Sequence, residues 1–169
     1  MRTDQANMKR AVITGMGLVT PLGVGVEHNW RRLVAGDSGA RAITEFETSD
    51  LRCKIACFVP RGSAAGEFDA DRWVPASEQR KMDMFIVFGL AAAQQAVDDS
   101  RWLPQTDEQR NRTGVLMGSG IGGLATIEDG AITVKERGAR RLSPFFIPAG
   151  GSRSVPISPC SGRYSRLHP

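Results

Sequence analysis

A glycine-rich hexapeptide is the first segment of this sequence that suggests chemistry. Residues 118–123 read GSGIGG and fit the pattern G-x-G-x-x-G, after an apolar run and before a stretch with helical character. Such a turn can bind the pyrophosphate of a dinucleotide at a helix N-terminus. The acid expected about 20 residues further on, which would hold the ribose, is absent, because Arg140 and Arg141 occupy that region. A tight strand-to-helix turn is therefore the better interpretation, with cofactor binding as the alternative.

The cysteines and histidines are too few and too widely spaced for a metal or redox centre. Three residues separate Cys53 from Cys57, which is not the spacing of a redox pair, and no second pair follows to complete a zinc site. The chain has two histidines, His28 and His168. We predict no metal and no cofactor, and we expect the two thiols to be buried or half-buried in a reducing cytosol.

Charge and hydropathy exclude two further classes. The formal net charge of +4 arises in the last part of the chain, because residues 137–169 contain six arginines and no acid. The remaining residues carry 16 basic and 18 acidic groups, so no basic face for nucleic acid is expected. No segment approaches the ~20 apolar residues of a membrane span, and the leader at residues 1–8 has no apolar core. The prediction is a cytoplasmic protein that binds neither nucleic acid nor membrane.

Alternating strand and helix patterns predict the elements that position these residues. Apolar runs predict strands at residues 9–14 and 113–117, with a weaker strand signal at 54–59. Helical spacing predicts helices at 27–35, 77–100 and 123–137 and a short helix or turn at 69–74, and Ser77 is expected to begin the longest of them. The alternation favours a layered α/β architecture. Two clear strands are too few for a complete sheet of that kind.

Five motifs in a fixed order carry a family resemblance. They are VITGMGLVTPLG at 12–23, Trp30, Leu33 and Gly36 with SG at 38–39, EQRKMD at 78–83, GSGIGG at 118–123 and SPFFIP at 143–148. In this order and at these separations they resemble the β-ketoacyl-[acyl-carrier-protein] synthases, the type II condensing enzymes of fatty-acid elongation. The resemblance covers residues 9–148.

The resemblance implies a thiolase-like fold of two pseudo-symmetric α/β halves, stacked as α/β/α/β/α layers in a homodimer. This chain would supply the incomplete N-terminal half. The implied reaction is an acyl transfer: a chain held as a thioester on an enzyme cysteine condenses with malonyl carried on acyl carrier protein, and carbon dioxide leaves. A thiolate at a helix N-terminus would be the nucleophile, and two histidines would stabilise the enolate.

Six residues of this chain match positions with a role in the family. By resemblance, Ile121 and Phe146 line the acyl pocket, and Arg80, Lys81, Arg140 and Arg141 face the acidic carrier protein. The alternative for the four cations is a solvated surface, and for Ile121 and Phe146 it is ordinary core packing. Ser77 stands where family members often carry another basic residue, which would weaken carrier binding.

The catalytic groups cannot be mapped onto this sequence. Residues 149–169 are rich in Ser, Gly, Pro and Arg and lack an apolar period, so we expect disorder there. Cys160 and His168 lie in this tail but do not match the family's nucleophile and histidines. Our hypothesis is a frameshift, or an engineered or sequencing error, near Ala149, and an inactive chain. A non-catalytic partner of a synthase and a nucleotide-binding module are the alternatives.

Overall fold

The computed structural model describes residues 10–146 of the chain. It contains five α-helices and four short strands in this part of the chain. The helices are α1 (Val26–Val34), α2 (Ala76–Gln79), α3 (Met84–Ser100), α4 (Asp107–Asn111) and α5 (Leu124–Arg137), and the strands are β1 (Val19–Thr20), β2 (Gly23–Val24), β3 (Arg41–Ala42) and β4 (Ile55–Ala56). Two 3₁₀ turns lie at Ala70–Arg72 and Ala139–Arg141. The strands form two separate antiparallel pairs, β1 with β2 and β3 with β4.

Several sequence predictions are confirmed at the level of single elements. Helix α1, helix α5 and the 3₁₀ turn at Ala70–Arg72 lie where helical spacing places them, and β4 falls within the weaker strand signal. Helix α4 was not predicted, although its signal is local. The Thr106 hydroxyl accepts from the Gln109 amide and the Gln109 side chain accepts from the Thr106 amide, which makes a capping box.

The prediction of one helix over residues 77–100 is wrong. The chain forms α2, breaks at residues 80–83 and starts again as α3. Ser77 lies inside α2 and caps neither helix. Asp83 is the N-cap of α3, with extended backbone at φ −76° and ψ 158°, and its carboxylate accepts a hydrogen bond from the amide of Met84. A carboxylate at this position satisfies an amide that the helix cannot pair internally.

The two strongest strand predictions are also wrong in this part of the chain. Neither residues 10–14 nor residues 113–117 form a paired strand. From 113 to 119 the residues still alternate between half-buried and exposed, as in a strand, and Leu116 is 87% exposed. A strand needs a neighbour for its backbone groups, and within residues 10–146 these segments have none. The alternating burial is that of a strand, but among residues 10–146 no segment pairs with it to form a β-ladder.

Helix α3 organises the packing of the described residues. Val87 and Ala91 on α3 are fully buried and pack with Phe68 and Val74. The rings of Phe68 and Phe88 meet edge to face with centroids 4.7 Å apart, a favoured geometry for aromatic pairs. This small cluster is the core of residues 10–146.

The extended segment before β1 crosses α3 at close range. A Cβ atom on Gly15 or Gly17 would collide with the backbone of Ala96 or Ala92. The amide of Met16 donates to the Asp99 carboxylate over 2.9 Å. Glycine at these two positions therefore allows chain and helix to approach as bulkier residues could not.

A buried asparagine holds the turn between β1 and β2. The Nδ2 of Asn29 donates to the carbonyls of Gly23 and Gly25 over 2.9 and 2.7 Å, and its Oδ1 accepts from the Thr20 hydroxyl. Asn29 is only 5% exposed. Every polar atom of the amide is thus paired, as burial requires.

None of the helices among the described residues is long and apolar enough to cross a membrane.

Replacing Asn29 by alanine should loosen this turn. The change removes the side-chain donor to the buried Gly23 carbonyl, while the Gly25 carbonyl keeps its bond from the residue-29 backbone amide, so we expect the opening free energy at the Val24 amide to fall by about 2 kcal/mol, despite the better helix propensity of alanine. Hydrogen exchange at Val24, whose amide donates to Gly66, is the measurement. Asn111→Ala, the same change at an exposed site, should have little effect, and equal effects of both would contradict the role of Asn29.

Candidate functional site

A groove of about 290 Å³ brings together residues that are far apart in the sequence. It lies between the break before α3, one side of α5 and the segment that begins at the end of the last 3₁₀ turn. Two cations, Arg80 and Arg141, are among its lining residues, as is Phe146. The rest of the lining is apolar (Met82, Leu142, Phe145) or polar (Thr126, Asp129, Gly130, Thr133, Ser143). The groove thus combines two cations and one carboxylate, that of Asp129, with aromatic surface.

Two of the four predicted carrier-facing cations lie in this groove. Within residues 10–146, neither Arg80 nor Arg141 forms an ion pair with a carboxylate, and Arg80 donates only a long hydrogen bond of 3.5 Å to the Ala76 carbonyl. Lys81 is half-buried and paired with Glu78 at 2.6 Å. Arg140 is exposed in the 3₁₀ turn and does not line the groove. Arg80 and Arg141 are therefore the cations best placed to meet an acidic group.

The two predicted acyl-pocket residues do not meet in one cavity of the described part. Phe146 is half-buried, and its ring lies where a Cβ atom on Gly130 of α5 would be. Ile121 is 68% exposed and lines neither of the two cavities described for residues 10–146. Both the pocket-lining role of Ile121 and its alternative, core packing, therefore stay predictions.

The Asp83 carboxylate is a site residue that sequence reasoning missed. While Oδ1 caps α3, Oδ2 accepts a hydrogen bond of 2.8 Å from the hydroxyl of Thr126, 43 residues later and in the first turn of α5. The same oxygen lies against Gly123, where it leaves no room for a Cβ atom. This aspartate belongs to the EQRKMD motif, but the sequence predicts the N-cap of the long helix at Ser77 instead.

This carboxylate weakens the alternative of dinucleotide binding. In that mode the pyrophosphate would lie at the N-terminus of the helix after the glycine loop, where amides and dipole attract anions. Here Asp83 already places a negative charge beside Gly123, the N-cap of α5. A second anion there would meet repulsion at a short distance. The arrangement favours a tight turn over a phosphate cradle.

The described thiols and imidazole do not form a nucleophilic pair. Cys53 and Cys57 are both free and exposed, which corrects the expectation that they would be buried. His28 instead lies between Gly23 and Gly66, where Cβ atoms would strike its ring. Cys160 and His168 lie outside the described residues. Within residues 10–146, no cluster of His, Cys, Asp and Glu could hold a metal ion.

A second cavity, of about 370 Å³, is lined by other residues, including Arg61, Ser63 and Asp69.

Two carboxyl groups have a lowered pKa. The backbone amide of Thr44 lowers the pKa of Glu45, and the amides of Ser49 and Thr48 lower the pKa of Glu47. Both glutamates are exposed and belong to the loop between β3 and β4, so their shifts reflect local hydrogen bonds and not a reactive site.

Comparison with known proteins gives the same family from sequence and from structure. The N-terminal domain of β-ketoacyl synthases matches residues 8–162. The chain is 54% identical over 142 residues to 3-oxoacyl-[acyl-carrier-protein] synthase 2 of Rhizobium meliloti, covering 83% of this chain and 34% of that protein. It is 43% identical over 154 residues to the mitochondrial 3-oxoacyl-[acyl-carrier-protein] synthase of Arabidopsis thaliana, covering 83% of this chain and 33% of that protein.

A solved structure shows the same fold class. The crystal structure of a β-ketoacyl synthase from Burkholderia phymatum aligns with a TM-score of 0.64 and 25% identity, over 86% of this chain and 34% of that one. The predicted fold class, part of a thiolase-like layered fold, is thereby confirmed. The chain spans about a third of the length of these relatives. The family match runs past Pro148, where the sequence predicts a boundary, and that boundary stays a prediction outside the described residues.

The packing of Phe146 against α5 can be tested by filling its contact surface. Gly130→Ala places a methyl group where the ring lies, so we expect the ring to leave α5 although alanine favours the helix by about 1 kcal/mol. Nuclear Overhauser contacts between the Phe146 ring and the α-proton of residue 130 should weaken or vanish. Gly114→Ala, with nothing within 4 Å, should preserve them. Unchanged contacts in Gly130→Ala would refute this placement of the ring.

Proposed function

This chain belongs to the β-ketoacyl synthase family, and from that membership we propose that it forms the N-terminal part of a fatty-acid condensing enzyme of type II. The enzyme would be an acyltransferase that joins an enzyme-bound acyl thioester to malonyl on acyl carrier protein, with loss of carbon dioxide. Support comes from the 54% identity to a 3-oxoacyl-[acyl-carrier-protein] synthase 2. The relatives are about three times as long, so the reaction of the whole enzyme is part of the proposal.

Docking of the carrier protein is the contribution that the described residues support best. Arg80 follows α2 and Arg141 ends the last 3₁₀ turn, yet both line one groove. Arginine keeps its charge and can bind carboxylate or phosphate through two donors. That two segments distant in the sequence place cations in one groove is the observation that carries the proposal. Lys81, paired with Glu78, and Arg140, outside the groove, would have secondary roles.

Ile121 and Phe146 are proposed to line the acyl pocket once the remaining parts of the fold are in place. The exposure of Ile121 is what a pocket wall would show when the opposite wall is missing. Phe146 would reach the pocket of a second subunit in a homodimer, which is a proposal on resemblance alone.

The nucleophile is proposed to come from outside the described residues. Condensation needs a thiolate with oxyanion donors and imidazoles that stabilise an enolate. Cys53 and Cys57 are exposed, one before and one after β4, and the imidazole of His28 lies between Gly23 and Gly66. Because Cys160 and His168 do not match the family's nucleophile and histidines, we also propose that the 169-residue polypeptide alone does not condense thioesters. A cytoplasmic location is also proposed, because two exposed free thiols suit a reducing compartment.

Charge reversal in the groove should weaken binding of acyl carrier protein. We expect Arg80→Glu and Arg141→Glu each to raise the dissociation constant for malonyl-acyl carrier protein about tenfold at low salt, because repulsion replaces attraction. Calorimetric titration at two salt concentrations is the measurement, and the binding of the unaltered chain should weaken as salt screens the charges.

The control is Arg52→Glu, the same change on an exposed residue outside the groove. It should alter binding less than about twofold if the attraction is local. Equal binding by the unaltered chain and by an Arg80→Glu/Arg141→Glu double variant would overturn the docking proposal.

A further inference from the structure

We propose that Asp83 is a positioning residue that fixes the glycine loop at 118–123 by accepting a hydrogen bond from Thr126 in the first turn of α5. Gly123, the N-cap of α5, has no side chain with which to cap it. The first-turn amides of a helix need an acceptor and favour a nearby negative charge. Asp83 brings a carboxylate to this place from the start of another helix.

The two oxygens of Asp83 serve two helices. Oδ1 accepts from the amide of Met84 over 2.7 Å, and Oδ2 accepts from the hydroxyl of Thr126 over 2.8 Å. Both hydrogen bonds are partly buried. A charged acceptor shielded from water makes stronger hydrogen bonds than a neutral one. One carboxylate thus ties the start of α5 to the start of α3.

The glycine loop is held at its other end by the same helix. The methyl group of Met117, directly before the loop, lies against Gly89 of α3, where a Cβ atom would be 2.6 Å from it. Gly123, at the end of the loop, lies against Asp83. Between these two contacts, added Cβ atoms on Gly118 and Gly120 would meet nothing within 4 Å, and Ile121 is 68% exposed. The loop therefore contacts α3 at one end, through Met117, and the N-cap of α3 at the other, through Gly123. Between these contacts Gly118, Gly120 and the side chain of Ile121 have few neighbours.

This geometry makes Asp83 a determinant of where Ile121 lies. If the contact at Gly123 is released, the span is held at Met117 only, and Ile121 can move away from its present position. The consequence for acyl-chain length rests on the proposed function, in which Ile121 lines the acyl pocket. The mechanical part, that Asp83 and Thr126 restrain the loop, is independent of it.

Amide hydrogen exchange of the 169-residue chain tests the restraint. Thr126→Val keeps the branched shape and removes the donor, so the amide of Ile127, which donates to the Gly123 carbonyl at the end of the loop, should exchange about tenfold faster. Thr126→Ser keeps the hydroxyl and should keep this exchange slow. Asp83→Asn, which retains a good cap for α3 and removes the charge, should accelerate exchange at Ile127 while amides at 90–96 of α3 stay unchanged.

Thr133→Val is the matched control, the same change on the same helix, and should leave exchange at Ile127 unaffected. The proposal is overturned if exchange at Ile127 is unchanged in Thr126→Val, if it is as fast in Thr126→Ser as in Thr126→Val, or if α3 accelerates as much as Ile127. That last result would mean that Asp83 supports the fold in general. Failure of carrier-protein binding would refute the proposed function and leave this exchange result intact, so the two can be told apart.

Discussion

The contact of one carboxylate with two helices is the constraint on which the described structure depends. Asp83 ends the break between α2 and α3, starts α3, and holds the first turn of α5 through Thr126. Helix α3 also contributes Val87 and Ala91 to the buried cluster and contacts Gly15 and Gly17 at close range. The position where α3 starts therefore determines where these packed residues lie. The groove with Arg80 includes Thr126, and the loop with Ile121 ends at Gly123, so both adjoin this contact.

Much apolar surface of residues 10–146 is left without a partner. Within this range only Phe68, Val74, Val87 and Ala91 are buried hydrophobic residues, whereas Ile13, Trp30 and Leu116 are among many large apolar side chains that stay exposed. Such exposure marks surfaces that normally meet other protein. The chain spans about a third of its relatives' length, and the unpaired segments at 10–14 and 113–117 are consistent with a sheet shared with further residues.

Local signals located α1, α5 and the 3₁₀ turn at Ala70–Arg72, but they placed neither the break before α3 nor the pairing of the strands. Helices α1 and α5 followed from apolar spacing, because amphipathic patterns report directly on one face of a helix. The break before α3 was missed because Ser77 and Asp83 are both good N-caps, and only the position of Thr126 favours Asp83. Strand pairing failed for a related reason, since a ladder depends on residues distant in sequence. The five motifs predicted the family, while the pairing of Lys81 with Glu78 and the exposure of Ile121 required coordinates.

Malonyl decarboxylation by the purified 169-residue polypeptide tests the central claim most directly. That claim is that these residues supply a docking groove and a restrained loop but no thiolate with its histidines. The polypeptide should bind malonyl-acyl carrier protein without releasing labelled carbon dioxide and without forming an acyl thioester on Cys53, Cys57 or Cys160. Sustained release of carbon dioxide with formation of β-ketoacyl product, in the absence of any other synthase, would contradict the account.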